Sequence, residues 1–163
     1  MTGRRDIDAP LSGAIVSPRA MLPAARPVGL TLGEYLRRQA CCRFTWGLND
    51  CLLWTANWAW ANGYRDAAAP FRGRYATMAG ARRIVRCGGG MLAVARAGAA
   101  RAGLAEIDPA DARAGDIGLG LIGDTAWPGE PAGLIRTEAF WAGLPAVGGL
   151  LIGEAAIVSA WRV

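Results

Sequence analysis

The chain contains no histidine, and all 18 of its basic residues are arginine, so lysine is missing as well. Without histidine, a thiol nucleophile loses its usual general base. Without lysine, the net charge of +5 is carried by arginine alone. Together with 23 glycines and abundant alanine, this looks like a high-GC coding bias more than selection for a polyanion. The arginines are scattered, apart from short pairs such as Arg37-Arg38 and Arg82-Arg83, and no basic stripe is interleaved with aromatics. No nucleic-acid partner is expected.

Long apolar runs are missing too. No segment reaches the ~18 consecutive apolar residues of a membrane span. Residues 1–20 lack the unbroken apolar core of a signal peptide, so synthesis in the cytoplasm is expected. Cys41, Cys42, Cys51 and Cys87 are then reduced thiols. Zinc sites bring cysteines in pairs two to four residues apart on tight turns, and this chain has no such pair. Neither a metal nor another cofactor is expected, and the thiols read as buried or semi-buried. Gly88-Gly89-Gly90 is followed by no Gly-Lys-Ser/Thr, so it reads as a helix stop and not a phosphate loop.

What remains is a globular composition, 53% hydrophobic and 19% charged over 163 residues, enough for one domain with a real core. Residues 1–29 stand apart. Pro10, Pro18, Pro23 and Pro27 interrupt them, and no periodicity lasts long enough for a helix. Such an arm has no core of its own and is expected to pack along a neighbouring subunit. The domain proper, 30–163, opens with a capping box at Thr31-Leu-Gly-Glu34 leading into a helix through Gln39. A second helix is expected over 50–62, ending at Gly63, and its apolar residues on nearly every side make it central. Within it Trp54 and Trp58 share a face and belong to the core, whereas Trp60 points toward the sheet or a partner. Further helices are expected over 77–86 and 91–101. Beyond Leu104, short apolar runs between Gly, Asp and Pro read as strands near 116–122, 131–136, 138–142, 149–152 and 156–162. Helices first and strands afterwards imply an α+β domain with N-terminal helices packed on a C-terminal antiparallel sheet.

Chemistry concentrates at Phe44-Thr-Trp46-Gly47-Leu-Asn49-Asp50-Cys51. Cys51, at the head of an apolar helix, stands where free N–H groups and the helix dipole favour a thiolate. Asp50 is its immediate neighbour. Read without any family, an apolar-helix cysteine is more often a small buried hydrophobe than a nucleophile.

The pattern Phe44-x-Trp46-Gly47-x-x-Asp50-Cys51, with Gly115-Asp116 later at the start of the sheet, resembles the nucleophile segment of NlpC/P60 cysteine peptidases, a branch of the papain-like fold. It is closer still to small phage-encoded relatives found among tail genes (the DUF6950 type). Those share Phe71-Arg72-Gly73-x-Tyr75, the Gly-Gly after the third helix, and the closing Ala160-Trp161-Arg162-Val163. The resemblance covers about 30–163. It implies a papain-like domain with Cys51 in the nucleophile position and Asp50 beside it. The family's base, a histidine opening a sheet strand, falls here on Pro131, which has no titratable group. Asp50, Asp116 or Glu138 would be a poor substitute, since a carboxylate titrates near 4, far below a thiol near 8.5. The resemblance therefore implies a virion structural protein of a phage tail tip or baseplate, made in the host cytoplasm, whose partners are tail-hub or distal-tail proteins. The alternative is a hydrolase of peptidoglycan peptides using Cys51 during cell-wall penetration.

Overall fold

The structure, a computed structural model, describes residues 29–123, 127 and 129–163. Residues 1–28, and with them nearly all of the expected arm, lie outside it. Four helices precede six strands: α1 (Leu32–Cys41), α2 (Leu53–Ala61), α3 (Met78–Cys87), α4 (Met91–Ala102), β1 (Glu106–Ile107), β2 (Ile117–Leu121), β3 (Ala132–Arg136), β4 (Trp141–Gly143), β5 (Leu151–Gly153) and β6 (Ala156–Trp161). The strands form one sheet in the order β1-β6-β2-β3-β4-β5, every neighbouring pair antiparallel. The α+β expectation holds.

Local chemistry explains the helix ends. Thr31 caps α1 in a reciprocal capping box: its hydroxyl accepts from the Glu34 amide, and its own amide donates to the Glu34 carboxylate. Gly63, just past the C-cap of α2, takes a φ of +104°, which a side chain would resist. The second helix is shorter than its apolar run implies. It starts at Leu53 and not at residue 50, because residues 50–52 form the turn that feeds it. In the third expected strand, residues 137–140 make a hydrogen-bonded turn between Thr137 and Phe140, so β4 begins only at Trp141. β1 has two residues, too few to leave a periodic signal.

α2 is the centre of the molecule. Trp54 is fully buried and Trp58 nearly so, and each indole N–H donates to a backbone carbonyl: Trp54 to Gly133 of β3 at 2.8 Å and Trp58 to Gly115, in the turn before β2, at 2.7 Å. Burying an indole without a partner costs free energy, so the two bonds fix how the helix sits on the strands. The Tyr35 hydroxyl of α1 donates to the Trp54 carbonyl, adding α1 to the same layer. Ile117, Leu119, Ile135, Ala142 and Trp161 complete this core from the sheet. The opposite face of the sheet has a smaller cluster of Ile122, Leu134, Trp141 and Ala160. There Gly118 leaves room for the Trp141 ring, which a Cβ would meet at 2.8 Å. Trp60 is met by the Arg72 guanidinium, 5.6 Å from the ring centroid.

Candidate functional site

Asp50 and Cys51 occupy the turn before α2, at the junction of helices and sheet. The Asp50 side chain is buried and accepts four hydrogen bonds. Oδ1 takes the amides of Leu52 (3.2 Å) and Leu53 (3.1 Å), and so supplies the α2 cap from within the turn. Oδ2 takes the Gly47 amide at 2.9 Å and the Tyr75 hydroxyl. The two sequence motifs are therefore one physical unit. The Gly73 amide donates to the Gly47 carbonyl at 2.9 Å, and Gly47, at φ +74°, has the Tyr75 carbonyl where a Cβ would stand, 2.1 Å away. Arg72 holds the second motif in shape through a two-pronged ion pair with Asp66, at 2.7 and 2.8 Å. Tyr75 is the residue that reasoning from sequence left without a role. Its place in Phe71-Arg72-Gly73-x-Tyr75 was the available signal.

Cys51 is 3% exposed. Its carbonyl accepts from the Gly133 amide of β3 at 2.8 Å. Its surroundings include a cavity of about 30 Å³ lined by Trp46, Tyr75, Ile84, Met91 and Trp127, among others. Burial, followed by the adjacent Asp50 charge, pushes the thiol up to about 12. The expected thiolate-favouring helix start is thus overturned. Cys51 precedes the helix, and desolvation outweighs what free N–H groups offer. Tyr75 is pushed the same way, by burial first and by Asp50 second.

The other candidate bases are elsewhere. Pro131 directly precedes β3, two residues before the Gly133 amide that meets Cys51. Asp116 is buried and engaged by the amides of Arg113 (2.7 Å) and Val163 (3.1 Å) and by the Arg162 guanidinium (3.1 Å). Glu138 is exposed on the β3–β4 turn. The remaining thiols also differ from expectation: Cys41, Cys42 and Cys87 are exposed, because each stands at a helix end or just past it. Among the described residues no group of three or more His, Cys, Asp or Glu side chains is placed to hold a metal ion, and no helix is long and apolar enough to cross a membrane.

The domain is thus an α+β unit whose central helix begins at a buried Asp-Cys turn pinned to the third strand. Residues 28–163 match the model of a domain of unknown function, DUF6950, and the chain belongs to that family. No curated protein and no solved structure matches the sequence.

Proposed function

We propose that this protein is a structural component of a phage, or phage-derived, tail tip or baseplate, built on a papain-like NlpC/P60-type domain whose peptidase site has become a structural joint. One observation carries the reading: the nucleophile-position thiol is buried, held protonated and tied by its carbonyl to β3, close to Pro131 and in a chain with no histidine. General acid–base help contributes roughly 10²–10⁴ in rate to such hydrolyses, and a thiol protonated to about pH 12 lacks both nucleophile and base. The parts that a peptidase would use for chemistry hold the fold together instead. Partner contacts then fall to the exposed faces, where Arg37 and Arg38 of α1 and Arg82, Arg83 and Arg86 of α3 offer cations to acidic surfaces of tail-hub or distal-tail proteins.

Incubating the purified full-length protein with murein tests the reading. No soluble peptide should appear, and Cys51→Ala should behave like the parent. Peptide release that Cys51→Ala abolishes would establish the hydrolase instead. Mass spectrometry of sedimented tail particles should find the chain as a stoichiometric component, and its absence from them would remove the virion role.

A further inference from the structure

Charge is divided along the chain. Residues 29–104, which build the four helices, hold eleven arginines and three acids, a net charge of +8. Residues 105–163, which build the sheet, hold three arginines and eight acids, a net charge of −5. Ion pairing does little to even this out. Of the ion pairs among the described residues, only Arg96–Glu106 joins the two regions, while Arg72–Asp66 and Arg162–Asp116 each stay within one.

Strand direction turns this division into two charged ends. The β2–β3 loop and the β4–β5 hairpin lie at the same end of the sheet. Two helices bring arginines there. A Cβ on Gly149 of the hairpin would be 3.9 Å from the Ala40 carbonyl of α1, whose Arg37 and Arg38 are exposed. Arg82 of α3 lies over the ring of Trp127 in the β2–β3 loop, 5.4 Å from its centroid, and the adjacent Arg83 is exposed. Glu130 is the described carboxylate of that loop. The other end of β3, β4 and β5 is acidic. Glu138 sits in the β3–β4 turn and Glu154 directly follows β5; both are exposed, and neither forms an ion pair among the described residues. Arg136 at the end of β3 is turned onto the Trp141 ring, 5.7 Å from its centroid, and Arg162 after β6 is paired with Asp116. Each end also exposes an apolar side chain: Val147, 88% exposed, in the hairpin, and Phe140, 45% exposed, in the acidic turn.

Distance decides where each end finds its counter-charge. The five residues of β3 alone span about 17 Å. That is twice the ~8 Å screening length at physiological salt, so the two ends do not neutralise one another within a molecule. A second copy brings them into contact. There a guanidinium can fork onto a carboxylate and lie against the Phe140 ring. Exposed ion pairs are individually weak, which makes such an association modest in strength and sensitive to salt. Because the two ends differ, the contact is heterologous and continues from copy to copy.

We propose that copies of this chain associate head to tail, the end bearing Arg37, Arg38, Arg82 and Arg83 of one seated on the Glu138 and Glu154 end of the next. The inference goes beyond the tail-protein reading and does not rest on it. Sedimentation velocity on the full chain tests it. The parent should grow past a dimer as its concentration rises in about 0.05 M salt, and about 1 M salt should return it to monomer. Glu138→Gln/Glu154→Gln and Arg37→Gln/Arg38→Gln/Arg83→Gln should each weaken self-association roughly tenfold or more. Mixed in equal amounts, the two variants keep one intact end each and should form a dimer that grows no further. Equal growth of parent and variants, or growth that survives the high salt, would overturn the proposal. So would a parent that stops at a dimer, which would put a two-fold contact in its place. A parent that is monomeric throughout would overturn it as well, and if that monomer bound heparin through Arg37, Arg38 and Arg83, the basic end would belong to a polyanion instead.

Discussion

Two buried aspartates, Asp50 and Asp116, each follow a tight turn and each gather backbone amides around one carboxylate, yet they join different things. Asp50 ties the start of α2 to the loop before α3 using neutral donors only: three amides and the Tyr75 hydroxyl. Asp116 ties the start of β2 to the residues after β6 using two amides and a half-exposed guanidinium. The first joint is sealed among apolar side chains. The second keeps one face toward water through Arg162. The Asp-Cys turn and the Gly-Asp turn are thus equivalent devices in different dielectric surroundings. Their sensitivities to mutation, salt and pH should differ accordingly.

The largest expected effect is at Asp50. Asp50→Ala leaves three amides and a hydroxyl without their acceptor, two of them in the first turn of α2, and should cost about 3–5 kcal/mol. Urea denaturation should place it near or beyond the limit of folding; a loss under 1 kcal/mol would mean that water replaces the carboxylate freely. Asp116→Ala comes next, at about 2–4 kcal/mol, because Arg162 can turn to solvent once its partner is gone. Tyr75→Phe removes one hydrogen bond from the buried joint and should lower stability by about 1–2 kcal/mol. Arg162→Ala should cost under about 1 kcal/mol and lose most of that difference in 1 M salt, whereas Tyr75→Phe should be indifferent to salt. Equal salt dependence of the two would erase the contrast between the joints.

Alkaline pH probes the buried thiol, alongside Tyr35 and Tyr75, whose hydroxyls burial also holds protonated. The unfolded thiol of Cys51 releases its proton near its ordinary value of 9, while the folded one holds it to about 12. Across that window the unfolded state binds fewer protons, so stability falls as pH rises, by about 1.4 kcal/mol per unit for this one group. Cys51→Ala should flatten that slope by one proton. The same burial predicts a thiol count. Under native conditions at pH 8, iodoacetamide should modify Cys41, Cys42 and Cys87 readily and leave Cys51 intact until denaturant is added. Four equally reactive thiols would contradict the buried site.

Much of the fold was legible because it is written in local chemistry. Thr31 and Glu34 announce α1, Gly63 and Gly103 end α2 and α4, and the change of period after Leu104 marks the sheet. The site was legible only as a location. Nothing near Cys51 in sequence discloses that Ile84, Met91 and Trp127 wall it in, since those residues arrive from elements 33 to 76 positions away. The apolar run that placed Asp50 inside the helix was misleading for a related reason. Hydrophobicity marks burial, and the turn at 50–52 is as buried as the helix after it. Asp50 itself looked like a catalytic neighbour. Its four donors become visible only when the loop bearing Tyr75 is folded back over Gly47.

The two indole bonds from α2 to the sheet carry a further consequence. An N–H locked onto a carbonyl exchanges with solvent only when that contact opens, and each of these two protons resonates apart from the backbone amides. Trp54 and Trp58 therefore work as a pair of clocks on one seam, the first timing separation of the helix from β3 and the second timing its separation from the turn before β2. If they keep the same time, helix and sheet part as one rigid plate; if they differ, the seam unzips from one end.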